Sequence, residues 1–381
     1  MRGFPTSEFQ ARLKRAQILM AQHGLDALFL TTEAEIRYFT GFLTRFWESP
    51  SRPWFLLVPA SGLPVAVIPS IGRDLMLGTW IEDIRCWSAP DLQDDGVSLL
   101  ANTIEEVLGS GVRIGMPDGH ETHLRMPFAD LERVKALIAP TIVTSDEGIV
   151  RSLRMIKSKA EIAKIETACA IAGRAFARVP ELAEAGIPLE EVFRRFQILC
   201  LEEGADWVPY LAGASDQGGY RDVISPATEA PIQLGDVLML DTGLVWDGYF
   251  CDYDRNWSLG APSAEVASAH AQLIEASNAA FEIAMPGATA ADLFQAMNRV
   301  VSTSGEATEA GRLGHGLGLS LTEWPSLIAT DHTVLEAGMV LTLEPGIAVA
   351  DKILVHEENI VITDCGALFI SPKIGPEITI L

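Results

Sequence analysis

The sequence predicts two domains, an α/β domain over residues 1–150 and an α+β domain over 151–381. Three observations carry this expectation. A chain of 381 residues is long for one hydrophobic core. Its first part alternates helix-periodic stretches with short apolar runs. Its second part sets helices into a mainly antiparallel series of strands. In the first domain, Phe9, Leu13, Ala16 and Met20 fall on one helical face and Gly24 stops the helix. The run Ala27–Leu30 reads as a buried strand. The segments 54–59 and 64–69 read as two strands around the Ser61-Gly62 turn. A helix-like stretch at 100–108 and an apolar strand at 112–116 follow. A boundary falls at 146–157. Beyond it, Ser158 with Glu161 forms a capping box for a long helix with Ile162, Ile165, Cys169, Ala172 and Phe176 on its apolar stripe. Pro188, at a first-turn position, opens a helix over 188–203. Further helices are expected over 264–284 and 289–303, between strand-rich segments at 236–259 and 338–363.

Composition excludes some classes of function. With 28 Lys+Arg against 51 Asp+Glu the net charge is −23, which disfavours nucleic acid or anionic membranes as partners. The acid is uneven: 13 basic against 19 acidic residues in 1–150, but 15 against 32 in 151–381. A cation-binding second domain would look like this, and so would a well-solvated surface. The five cysteines, Cys86, Cys169, Cys200, Cys251 and Cys365, show no C-x-x-C spacing, which suits a reducing cytoplasm. A hydrophobic fraction of 48% supports real cores, yet no apolar run is long enough to span a bilayer. The expectation is a soluble, cytoplasmic protein.

Four segments of the second domain concentrate chemistry: LMLDTG (238–243), GYFCDYDR (248–255), GHGLGL (314–319), and the pair LTLEPG (341–346) and VHEEN (355–359). Asp241, Glu344 and Glu357 each sit in or beside an apolar strand, where an unpaired carboxylate is costly. Several acids converging there need positive charge, and divalent cations held by carboxylates and one imidazole supply it. For any one of them alone, a hydrogen-bonded structural acid or a packed core histidine is the alternative. The glycines around His315 let backbone approach closely.

Taken together these segments resemble the pita-bread metallopeptidases: Xaa-Pro dipeptidase (prolidase), Xaa-Pro aminopeptidase, methionine aminopeptidase and the creatinase relatives. The stretch at 24–42 is similar to the creatinase/prolidase N-terminal domain, and 153–165 to its link into a pita-bread catalytic domain. The resemblance implies five metal ligands, Asp241, Asp252, His315, Glu344 and Glu357, holding two divalent ions. Asp252 and Glu357 would bridge, with a metal-bridging hydroxide as nucleophile. It further implies that Glu344, with His315, is catalytic, Glu344 carrying the proton. Mn2+, Co2+, Zn2+ and Fe2+ are all compatible, and an oxygen-rich set favours Mn2+. A homodimer is implied, with Trp47, Arg52 and Trp54 bounding a partner's pocket. Asp254 and Arg255 read as support for the ligands, and His356 as pointing away from them.

The chain also departs from the peptidase pattern. Where those enzymes carry a second histidine after G-H-G-x-G, this sequence has Thr322, and the upstream segment 213–222 has no histidine. Tyr220, Arg221, Asp222 and Thr322 are the candidates for meeting substrate in their place, Arg221 through a substrate carboxylate. A polar surface loop is the alternative for the first three. The resemblance implies a hydrolase cleaving a small peptide or amide. Its alternatives are a repurposed enzyme acting on a small non-peptide substrate, as in ectoine or creatine C–N hydrolysis or dimethylsulfoniopropionate lysis, and a non-enzymatic binding module. The lyases also read E-W-P after the G-H-G segment, as 323–325 do here, but with an acid at the position of Thr322.

Overall fold

The computed structural model describes residues 2–49, 52–302 and 311–381, and its internal contacts divide the chain into two units, Met1–Arg154 and Met155–Leu381. The first unit opens with α1 (Thr6–His23), which buries Phe9, Leu13, Ala16 and Met20 and ends at a left-handed Gly24. Strands β1 (Ala27–Leu30), β2 (Phe55–Pro59), β3 (Val65–Pro69), β4 (Asp83–Trp87), β5 (Arg113–Met116) and β6 (Ile142–Ser145) form a mixed sheet in the order β4-β3-β2-β1-β5-β6. The first three are buried along their whole length, which explains apolar runs without polar alternation. Helices α2 (Glu33–Thr40), α3 (Arg73–Leu77), α4 (Val97–Leu108), α5 (Phe128–Leu137) and α6 (Ile149–Met155) complete the unit. Leu100 and Ile104 of α4 and Leu131 and Val134 of α5 join Phe29, Leu57 and Val67 in one core. Trp47 and Trp54 pack on each other with ring centroids 5.5 Å apart, and Arg52 lies over Phe46.

In the second unit, Ser158 and Glu161 make the reciprocal capping box of α7 (Lys159–Ala177). Pro188 precedes α8 (Leu189–Glu202) as its N-cap rather than sitting inside its first turn. Strands β7 (Trp207–Gln217), β8 (Asp236–Trp246), β9 (Tyr249–Phe250) and β10 (Tyr253–Ser258) follow, then helices α9 (Ala264–Ile283) and α10 (Ala290–Val301). Position 303, the end of the helix expected over 289–303, lies outside the described residues. The chain continues through β11 (His315–Gly316), β12 (Glu323–Ser326), β13 (Val340–Leu343), β14 (Gly346–Val349), β15 (Lys352–Val355), β16 (Glu358–Thr363), β17 (Gly366–Phe369) and β18 (Thr379–Ile380). Two five-stranded sheets result: β18-β10-β8-β7 with β9 on β8, and β12-β11-β13-β16-β17. Leu273 and Ala276 of α9 and Leu293 and Met297 of α10 pack with Val237, Met239, Leu341, Leu343, Ile360 and Ile362 from both sheets. That shared core fixes the two sheets against each other and sets the strand ends that carry the acids.

Candidate active site

Side chains alternate across a strand, so β8 presents Val237, Met239 and then Asp241 on one face. Asp241 is directly opposite Asp254 of β10 and Ala212 of β7. Asp252 stands just before β10. Its backbone is clamped at both ends by Asn359: the Asp252 N–H donates to Asn359 Oδ1 at 3.0 Å, and the Asn359 amide donates to the Asp252 carbonyl. Glu357 is held in the same way, its N–H donating to Asp254 Oδ1 at 3.0 Å. Glu344 follows β13, and its N–H donates to the carbonyl of Leu313 at 3.0 Å.

His315 lies on β11, a strand of two residues wedged between β12 and β13. Its N–H donates to Thr342 Oγ1 at 3.1 Å, and its Nδ1 meets the carbonyl of Gly316 at 2.8 Å. Nε2 is thereby turned toward Asp252 Oδ2, 3.4 Å away. The glycines around it are required by close packing. A Cβ at Gly316 would lie 2.0 Å from the Trp324 carbonyl oxygen, and one at Gly314 would lie 2.3 Å from that of Thr342. Gly318 leaves room for the buried Lys157–Glu323 ion pair, 3.2 Å long.

Ligand atoms of Asp252, His315 and Glu357 all fall within 4.8 Å of one another, and all three residues are buried. Asp241 and Glu344 close the group electrostatically. Burial first, and then the neighbouring acids, push Asp241 and Glu357 well above the ordinary carboxylate range. Burial pushes Glu344 up to about 7, against the opposing charges of His315 and Arg312. Burial raises Asp252 as well, with His315 holding it back. For His315, burial works to lower the pKa, but the adjoining Asp252 carboxylate raises it. Asp241 Oδ1 and Glu357 Oε1 are buried without a hydrogen-bond partner among the described residues. Converging carboxylates with orphaned oxygens and one oriented imidazole are a donor set that a hard or borderline divalent cation fits.

A second polar layer supports these groups. Burial alone would raise Glu358, but Arg255 at 3.0 Å, His356 and Ser371 hold it down to about 2. His356 lies beside Asp254 and Glu358, 3.6 and 3.4 Å away, and so is directed at the supporting layer.

The residues expected to meet substrate are scattered. The Tyr220 hydroxyl is fully buried, donating to Asn256 Oδ1 and accepting the Val355 N–H. Arg221 is exposed and paired with Asp351 at 2.6 Å. Asp222 is exposed and accepts the N–H groups of Ile224 and Ser225. Thr322 accepts a hydrogen bond from the Arg312 guanidinium at 3.4 Å.

Two residues near the acids lie outside the segments singled out in the sequence. The charge of Arg312 acts on Asp252, His315 and Glu344. The Tyr210 hydroxyl faces the Asp241 carboxylate. Arg312 stands three positions before His315, close enough to be found by extending the motif, whereas Tyr210 reaches the site only through strand pairing.

A buried carboxylate–imidazole cluster carried on this pair of sheets defines the class, a metal-dependent hydrolase. Residues 163–364 match metallopeptidase family M24 and residues 12–156 match the creatinase/prolidase N-terminal domain. The chain belongs to metallopeptidase family M24 and is a metal-dependent peptidase. It is 28% identical over 379 residues to a probable dipeptidase PepE of Mycobacterium tuberculosis, covering 97% of this chain and 96% of that one. It is 32% identical over 247 residues to an Xaa-Pro dipeptidase of Pyrococcus horikoshii, covering 64% of this chain and 70% of the relative. The crystal structure of dipeptidase PepE from Mycobacterium ulcerans superposes with a TM-score of 0.85 at 28% identity, covering 99% of each chain.

Proposed function

We propose that the chain hydrolyses short peptides of the Xaa-Pro type, with two divalent cations held by Asp241, Asp252, His315, Glu344 and Glu357. The observation that carries this reading is the convergence of Asp252, Glu357 and His315 within 4.8 Å, with Asp241 and Glu344 acting on them electrostatically and with orphaned buried oxygens on Asp241 and Glu357. The names of the relatives support the substrate class. When bound, the cations supply the positive charge that acidifies water and polarises a carbonyl.

The chain's own groups do the rest. Asn359 and Asp254 fix the backbones of Asp252 and Glu357, so that both carboxylates are set before substrate arrives. Gly316's carbonyl fixes the orientation of His315. Glu344 receives the proton of the attacking water and returns it to the leaving amine nitrogen as the C–N bond breaks. Of the residues expected to meet substrate, Thr322 stays in this reading, beside Arg312. Arg221, paired with Asp351 at the surface, does not. Both peptidase histidines are absent in this reading: the sequence has none between His123 and His270, and Thr322 stands at the second position.

The test is a panel of Xaa-Pro and non-proline dipeptides and tripeptides with added Mn2+ or Co2+. We expect turnover of Xaa-Pro substrates and its loss in Asp252→Asn, together with loss of bound metal by elemental analysis. A metal-loaded protein that cleaves no peptide of the panel would overturn the reading.

A further inference from the structure

Amide hydrolysis builds negative charge on the carbonyl oxygen, and a donor aimed at that oxygen is worth orders of magnitude in rate. In this chain the histidine positions that would supply such a donor are taken by Thr322 and by a segment without histidine. The protein must draw its donor from elsewhere around the acids.

Tyr210 has the right placement. On the β7–β8 ladder it is directly opposite Gly243, while Ala212, two residues on, is opposite Asp241. Residues facing each other across antiparallel strands share a face, so Tyr210 lies diagonal to Asp241 on the face that carries the acids, within reach of an aromatic side chain. The glycine opposite makes the space. A Cβ at Gly243 would stand 3.3 Å from Tyr210 Cβ and 2.1 Å from Leu321 Cδ1. Tyr210 and Leu321, the neighbour of Thr322, therefore close over that glycine as one wall. Tyr210 is only partly buried. Its hydroxyl faces Asp241, near enough to Asp252 and Glu357 that their charges act on it as well. A phenol, with an ordinary pKa of about 10, carries its proton at neutral pH and is thus a donor.

We propose that Tyr210 is a catalytic residue of this site, its phenol O–H donating a hydrogen bond to the scissile carbonyl oxygen as charge accumulates there. In the step, the water oxygen bonds to the carbonyl carbon and the C=O π pair moves onto oxygen, where Tyr210 meets it. Tyr210 keeps its proton throughout. The pair returns as the C–N bond breaks, and the amine takes the proton that the water lost. The assignment rests on the peptidase reading above and deepens it.

The test is Tyr210→Phe, which removes the hydroxyl and keeps the ring. Three quantities are measured: peptide kinetics, bound metal per chain, and calorimetric affinity for a phosphinic dipeptide analogue, whose tetrahedral oxygens imitate the developing charge. We expect kcat to fall by about 10- to 100-fold. KM should stay within about twofold, metal content should be unchanged, and analogue affinity should fall in step with kcat. Unchanged kcat and analogue affinity would overturn the proposal. So would a loss of activity that tracks lost metal and returns with excess Mn2+, because Tyr210 would then only prop Asp241. If the metal-loaded wild type cleaves no peptide, the proposed function fails by itself. The analogue then decides about Tyr210 separately: equal binding by wild type and variant rejects the donor role, and weaker binding by the variant supports it.

Discussion

Burial pushes Glu344 up to about 7 despite His315 and Arg312, and this makes the metal-free protein sensitive to pH in a particular direction. Unfolded, a glutamate loses its proton near its ordinary pKa of about 4.3. Between that value and about 7 the native state holds a proton that the unfolded state has released, so stability falls as pH rises through this window. The full loss from this one group amounts to about 4 kcal/mol. In chelator-treated protein, denaturant midpoints should fall between pH 5 and pH 8 by more in wild type than in Glu344→Gln. Equal slopes in the two proteins would remove Glu344 as the source. At this scale the five residues proposed as ligands stand out in the sequence because each sits in a short motif, and the structure brings Asp252, His315 and Glu357 together. Tyr210 does not stand out, because β-pairing across 31 positions brings it to Asp241. Tyr220 shows the converse. It occupies the expected stretch of sequence, yet its hydroxyl is spent inside the core on Asn256 and Val355.

At the scale of elements, one of the three two-residue strands among the described residues has the tightest constraint. β11 contributes His315 from only two residues, and Gly316 beside it has no room for a side chain against the Trp324 carbonyl. Gly316→Ala must displace β11 from β12, and His315 moves with it. We expect a melting temperature lower by several degrees and Mn2+ affinity weaker by roughly tenfold, consistent with about 1–3 kcal/mol for overpacking. Calorimetric Mn2+ titration of the folded variant checks this, and wild-type affinity would show that β11 tolerates the shift. Helices such as α7 were legible from their caps, since Ser158 and Glu161 satisfy each other's backbone donors locally. Strand β7 was not, because WVPYLAGASDQ mixes proline, glycine and small residues and is specified by its pairing with β8. Proline 188 was legible as a start signal but one position out, since a fixed φ suits the N-cap as well as the first turn.

For the whole molecule, the charge of −23 argues against nucleic-acid partners but does not say where a cation goes. Two effects of added divalent metal therefore have to be separated. General screening stabilises any strongly acidic chain, depends on ionic strength and is indifferent to the ion. Binding at the acids of the second unit depends on metal concentration relative to its Kd, because only the folded chain presents those ligands together. At 100 times Kd that linkage is worth about 2.7 kcal/mol. For a unit of roughly 150–250 residues this raises the melting temperature by about 5–10 °C. Thermal melts of chelator-treated protein should then show a saturable rise with Mn2+. Sodium or potassium chloride at matched ionic strength should give only a small increment. Asp252→Asn should respond to Mn2+ no more than to those salts, because it removes one charge from the buried group while leaving the surface acidity almost untouched. A wild-type melt that rises equally with all three salts would place the effect on the surface and empty the proposed site of its cations.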